Sequence, residues 1–311
     1  MSQRCQGAGL MVAAPPWSSK RGLMRFSVMP GFVWRTNGIP GLCRSAKRIG
    51  ASARLLVGPQ RHPCVDRGSW VSGCGSGCDR VYPGRSVLEK LFPAEVRWAR
   101  AHEQVESEPL HRDEAKAAAA MAPKRLREYT LGRACARKVL HDLGVEGFAL
   151  CNDADRVPIW PSGITGSLTH CKGLCIAVAA HREHVLGIGV DAEPRRTLSK
   201  GVLDRISSES ERRHLACLPA VPEGGDGDWG LLLFSAKESF YKCYYPLTRR
   251  FLHFRDAQVE FQPETGRFSV SLANHEAPSA QGVRRLWGRF QLDVNHIVTG
   301  VVLQPKGAAP A

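Results

Sequence analysis

No stretch of this 311-residue sequence reaches the ~18 uncharged apolar residues that a membrane-spanning helix requires, so a spanning helix is excluded. A secretory signal is missing too, because the charged start is not followed by a clean apolar segment. No internal repeat is visible. The 11 cysteines do not form a framework: Cys74 and Cys78 are four apart, as are Cys171 and Cys175, without the paired CxxC or Cys/His spacing that specifies zinc. Free thiols in a reducing, cytoplasmic compartment are therefore expected.

Acidic residues are nearly absent from one region. Residues 1–85 hold 13 Lys or Arg against two acids, Asp66 and Asp79, whereas the rest of the chain holds 30 basic against 27 acidic residues. The formal charge of +14 thus belongs mostly to the first region and does not make the whole chain a polyanion binder. Gly, Pro, Ser and Arg interrupt that region ("PPWSSKRG"), and no sustained helical or strand period emerges. A basic, disordered N-terminal extension is expected over 1–85. A nucleic-acid-binding arm is the rival reading of it, and a nucleic-acid partner is not expected.

Three further segments are read from the pattern: 86–190 and 191–304 as the two halves of a folded domain, and 305–311 as a tail. "PKRLREYTLGRACARKVLHDLG" repeats apolar residues at three- and four-residue steps and predicts a helix from Pro123, stopped at Gly144. Arg133 and Arg137 lie four apart on it, hence on one face; a solvated basic face would look the same. "GITGSLTH", "LCIAVAAH" and "HVLGIGVDAEP" read as strands of an antiparallel meander. In the last, Leu186, Ile188, Val190 and Ala192 share one face, and Gly187, Gly189, Asp191 and Glu193 the other. "LSKGVLDRISSESERRHLACL" reads as helical, and "ETGRF" between two apolar runs as a hairpin turn. Helices on antiparallel strands make an α+β fold.

The charged chemistry concentrates in two places. Asp191 and Glu193 project from the same side of a strand end, beside two glycines that leave room for a ligand. Two carboxylates held together call for a cation or proton between them. An all-oxygen set without Cys or His favours Mg²⁺. Taken alone, such a DxE is as easily a solvated strand end. The second place is "LLLFSAKESFYKCYYP", where Lys237, Glu238 and Lys242 follow a buried apolar turn at what reads as a helix start. Glu238 and Lys242 share a helix face and would otherwise be an ordinary ion pair. A carboxylate on a metal, flanked by lysines near phosphate oxygens, suits phosphoryl-type transfer. His170 ends the first strand, where it can donate a hydrogen bond to a phosphate oxygen.

"GSLTHC", "GIGVDAEP" and "FSAKESFYK", in that order and spacing, resemble the signature of the 4′-phosphopantetheinyl transferases. "LFPAE", "GRACAR" and "RVPIWPSG" resemble the siderophore-synthesis subgroup typified by the enterobactin synthase transferase component, so that the likeness covers about residues 88–303. The resemblance implies transfer of phosphopantetheine from coenzyme A to a serine of an apo carrier protein (peptidyl, aryl or acyl), releasing adenosine 3′,5′-bisphosphate. It implies an α+β pseudo-dimer, two similar halves with the site between them, and a monomer. Asp191, Glu193 and Glu238 match the family's Mg²⁺ ligands, with Mn²⁺ as an alternative. Lys242 matches the lysine by the pyrophosphate, His170 a phosphate contact, and Lys237 the other lysine of its motif. Arg133, Arg137 and Arg156 fall in segments that frame the nucleotide. Thr169 stands where Ser is usual, keeping a hydroxyl for phosphate contact, and Ala192 where a larger apolar residue is common. Glu238 is the first candidate base for the serine, with solvent at the metal as the alternative. A magnesium-dependent nucleotidyltransferase or phosphohydrolase is the rival enzyme class, which carrier-protein dependence would separate.

Overall fold

In the computed structural model, residues 71–72, 87–102, 108–221, 228–273 and 285–305 are described. Of the first 85 residues only β1 (Val71–Ser72) is among them, and it pairs with β2 (Arg97–Ala101). The expectation of a disordered extension otherwise lies outside the described residues, as do Cys74 and Cys78.

The strands expected from their apolar alternation form, but not as one meander. β3 (Ile164–Cys171) and β4 (Leu174–His181) pair antiparallel, and with β2 and β1 they make a four-stranded sheet of order β1-β2-β4-β3. β5 (Gly187–Pro194) leaves that sheet. All eight of its residues pair with β9 (His296–Leu303), at the edge of a five-stranded sheet completed by β6 (Ala257–Gln262), β7 (Arg267–Leu272) and β8 (Arg285–Leu292) in the order β5-β9-β8-β7-β6. The chain passes between sheets in the loop 182–186, just before the boundary at 190 read from the sequence. β5 still touches the first sheet, since Ser167 Oγ accepts from Val190 N at 3.2 Å.

The strand parity of β5 is as the sequence predicts. Ile188, Val190 and Ala192 join Leu88, Phe92, Trp98 and Val178 in a core shared by the two sheets. The glycine side has a different purpose from the one expected. A Cβ on Gly189 would lie 1.9 Å from Ser239 O, and one on Gly187 2.7 Å from Leu247 Cδ1. Gly189 admits the backbone of a helix, α5 (Asp228–Thr248), and Gly187 a leucine side chain of the same helix beside a cleft that it also lines.

Five helices complete the described residues. α1 (Arg112–Ala118) precedes α2 (Pro123–Asp142), which starts at its proline and is followed by Gly144 at φ +78°. α2 lays Leu131, Cys135, Val139 and Leu140 on the first sheet. The segment expected as one helix is two, α3 (Lys200–Ile206) and α4 (Glu209–Ala216), because Ser208 and Glu211 form a capping box that starts a new helix. α4 closes the β6 edge: Glu211 accepts from Val259 N at 2.9 Å and His214 Nε2 from Phe261 N at 2.9 Å. α5 packs on β5 through Ser239, Cys243 and Leu247, and its Leu231, Phe234, Phe240 and Tyr244 belong to the core on that side of the sheet. The hairpin at "ETGRF" forms, with Gly266 at φ +61° between β6 and β7. The six described cysteines are all free.

Candidate active site at the junction of the two halves

α5 is 21 residues long, so Lys237, Glu238 and Lys242 lie in its middle and not at a helix start. Glu238 and Lys242, one turn apart, face the first half of the molecule; Lys237 faces elsewhere.

Asp191 is the hub. Its Oδ1 accepts from Lys242 Nζ at 2.7 Å and from Thr169 Oγ1 at 3.2 Å, and its Oδ2 from Ser235 Oγ at 2.8 Å. Lys242 Nζ also donates to Thr169 Oγ1 and to Val190 O, both at 3.1 Å. Thr299 Oγ1 lies 2.9 Å from Ser235 Oγ and 3.0 Å from Ser239 Oγ, which packs the hydroxyls behind Asp191. Three elements meet there: β3 through Thr169, β5 through Asp191 and α5 through Ser235 and Lys242. Thr169 thus bonds a protein carboxylate and ammonium, where the family likeness assigned it to phosphate.

Glu193 is 2 % exposed, and its buried Oε2 makes no hydrogen bond, Arg196 Nη2 standing at 3.5 Å. Burial, and then the charge of Asp191, pushes its carboxyl up to about 8. Among the described residues no three His, Cys, Asp or Glu converge into a metal-holding group, so Asp191, Glu193 and Glu238 do not form a closed triad here. The donors nevertheless suit a hard divalent cation: two carboxylates on one strand face, one of them with a buried oxygen lacking a hydrogen bond.

His170, next to last in β3, lies beside this cluster. Arg125 Nη1, 3.0 Å away, can only donate, so His170 Nε2 is its unprotonated nitrogen. Burial, then Arg125, Lys242 and Lys124, lowers its pKa to about 3. An imidazole neutral in the folded chain but protonating near 6.5 when unfolded costs stability as the pH falls through that range. In urea titrations between pH 7 and pH 4, the wild-type midpoint should fall more steeply than that of His170→Gln; parallel curves would contradict the burial argument.

The remaining candidates divide. Arg156, at φ +65°, lines a cavity of about 220 Å³ together with Glu238, Lys242, Trp160, Tyr241 and Leu247. Arg133 is buried over the Tyr129 ring at 4.1 Å and donates to Asn152 at 2.7 Å. Arg137 is committed to Glu114 at 2.9 Å and lines a different cavity with Glu108 and Phe148, so it clamps α2 to α1. Lys237 is also placed differently from expectation. It is 1 % exposed, and its ammonium donates to Ile206 O and Phe254 O, each at 2.7 Å, and to Glu211 at 2.9 Å. Lys242 has three partners too, but it lines the cleft, whereas Lys237 is buried away from it among α3, α4 and the segment at Phe254. Sequence reasoning missed Arg125 and Ser235. Arg125 carried a signal, two turns before Arg133 on the same helix; Ser235 carried none beyond lying next to the charged run.

Comparison with known proteins follows the same two-part division. A family model described as "4'-phosphopantetheinyl transferase N-terminal domain" matches residues 113–180, and one described as "4'-phosphopantetheinyl transferase superfamily" matches 187–292. The chain is 36% identical over 228 residues to 4'-phosphopantetheinyl transferase PptT of Mycobacterium tuberculosis, covering 70% of this chain and 98% of that one. It is 40% identical over 202 residues to 4'-phosphopantetheinyl transferase Svp of Streptomyces mobaraensis, covering 63% and 80%. Over a shorter span of 127 residues it is 31% identical to enterobactin synthase component D of Salmonella typhi, covering 39% and 49%.

Proposed function

The chain belongs to the 4′-phosphopantetheinyl transferase superfamily, and from that premise we propose that it moves 4′-phosphopantetheine from coenzyme A to a serine of an apo carrier protein. The observation that carries this reading is the Asp191–Lys242–Thr169 cluster, which joins both halves beside a cleft lined by Glu238 and Lys242.

Each group has a task in the proposed reaction. Lys242, held at 2.7 Å by Asp191, presents positive charge at the mouth of the cleft, where the pyrophosphate of coenzyme A would lie. Arg125 and the neutral His170 offer donors beside it. His170 keeps its proton on Nδ1, so it acts as a hydrogen-bond donor and not as a cation. The cavity by Tyr241, Trp160 and Leu247 has the apolar lining to take the pantetheine arm, with Arg156 at its edge. Glu238 lines the same cavity and is placed to accept the serine proton. Asp191 and Glu193, with Glu238 as the third carboxylate, would hold Mg²⁺ or Mn²⁺, which when bound supplies charge to the pyrophosphate and the leaving bisphosphate. Lys237, Arg137 and Thr169 act on the protein itself in this scheme.

The carrier is proposed to belong to a siderophore or other secondary-metabolite synthase, because a relative bears the name enterobactin synthase component D. The broader relatives carry names that specify no pathway. Action as a monomer in the cytoplasm is part of the same proposal. No helix of the described residues is long and apolar enough to cross a membrane.

The test incubates the full chain with coenzyme A, Mg²⁺ and a panel of apo carrier proteins, and reads intact mass. One phosphopantetheine gained per carrier, lost on adding a chelator, is the expected outcome. Hydrolysis of coenzyme A without any carrier gaining mass would replace transfer by the phosphohydrolase reading.

A further inference from the structure

The five-stranded sheet has a second face, opposite α5. Its β5–β9 side is covered: Leu88 and Phe92 pack on Ile188, Val190 and Val298. The Phe92 ring fills the space over Gly300, where a Cβ would come within 2.5 Å of its Cζ. Among the described residues the covering stops at that point. Beyond it, Leu286 and Phe290 of β8 and Phe268 and Val270 of β7 point into the α5-side core, so strand alternation puts Arg285, Trp287, Arg289 and Arg267 on the opposite face, together with Ser269, which is buried there.

In the β7–β8 register Arg267 lies directly across from Arg289. Like charges in directly opposed positions destabilise an antiparallel pair. No carboxylate among the described residues is within ion-pair distance of either guanidinium, and on the neighbouring β6 Glu260 is taken by Arg285. Burial, then the charge of Arg267, already lowers the pKa of Arg289. Where the covering ends, Glu89, Lys90, Phe92, Gly266, Arg289 and Gln291 help to bound a cavity of about 490 Å³, with Arg267 next to it across from Arg289.

We propose that this step on the back of the sheet is a second ligand site, which takes a phosphate group between Arg267 and Arg289 with Lys90 at its rim. Two guanidinium forks present several N–H donors to one tetrahedral oxyanion, an arrangement that suits phosphate and is costly without an anion. A concave floor favours a small molecule over a protein surface. Trp287, on the same face two residues along β8 and 49 % exposed, offers a ring for a base to stack on if the phosphate is part of a nucleotide. The site lies across the sheet from the transferase cleft, so it neither requires nor replaces that reading.

The experiment follows thermal unfolding of the full chain and of Arg267→Gln/Arg289→Gln in a phosphate-free buffer, with added inorganic phosphate, pyrophosphate or ADP. Relief of the opposed charges should raise the melting temperature of the double variant above wild type without phosphate. Added phosphate should then raise wild type by several degrees and the double variant by much less, while carrier loading is the same in both. If Trp287→Leu weakens the ADP response but not the phosphate response, the ligand is a nucleotide; if it weakens neither, the ligand is phosphate itself. A double variant that keeps the full phosphate response, so that the anion binds in the cleft instead, overturns the proposal. So does a wild-type chain that responds to none of the three.

Discussion

Asp191→Asn should lower carrier loading by about 10²–10³-fold, the size of effect that follows loss of one preorganised electrostatic group, with the chain still folded. The asparagine carbonyl can accept from Lys242, and its amide can donate to Ser235, so the hydrogen bonds around the position survive in neutral form. What disappears is the negative charge that fixes the Lys242 ammonium and shares the strand face with Glu193. The stability cost is that of weakened hydrogen bonds to a buried charge, about 1–3 kcal/mol. Intact-mass rates of carrier modification, with circular dichroism to verify the fold, make the measurement. A rate near wild type would show that Lys242 is positioned without Asp191 and would remove Asp191 from the site.

The second large effect concerns stability. Lys237→Met should destabilise the chain by about 3–5 kcal/mol, because it leaves Glu211 buried and uncompensated. Glu211 is 2 % exposed and fixes Val259 N on β6 and Ser208 N at the α4 cap, so its charge cannot move to solvent. Burial already lowers the Lys237 pKa, with Glu211 opposing that shift, which marks the pair as one desolvated unit. Adding Glu211→Gln removes the unpaired charge but keeps an acceptor for only one of the two amides, so the double variant should recover part of the loss. Urea unfolding measures this. Carrier loading per folded molecule should remain close to wild type in Lys237→Met; a selective loss of turnover with unchanged stability would return Lys237 to the phosphate.

These two outcomes separate residues that the sequence made look alike. Lys237 and Lys242 belong to one charged cluster, "AKESFYK", and the sequence reading places both near phosphate oxygens. On a helix, five residues amount to about 140° of rotation, so the two lysines leave α5 on different sides. Glu238 and Lys242, four apart, remain together. The relative placement was legible in the spacing. Which side meets the cleft was not, because it depends on how α5 is rotated against β5, and that rotation is set where Gly187 and Gly189 admit the helix.

By itself the sequence determined the α+β class, the α2 helix with its proline start and glycine stop, the hairpin at Gly266 and the two-face pattern of β5 that puts Asp191 and Glu193 on one side. These are local properties: period, capping and turn chemistry act within a few residues of chain. The ordered motifs also determined the family. Only the tertiary structure decided that β5 leaves the first sheet to pair with β9, that Arg137 serves α1, that Arg125 stands against His170 and that Arg267 opposes Arg289. Each of these depends on partners dozens of residues away along the chain. Strand pairing and side-chain burial are chosen by which apolar faces can close on one another, and no short window of sequence contains both faces.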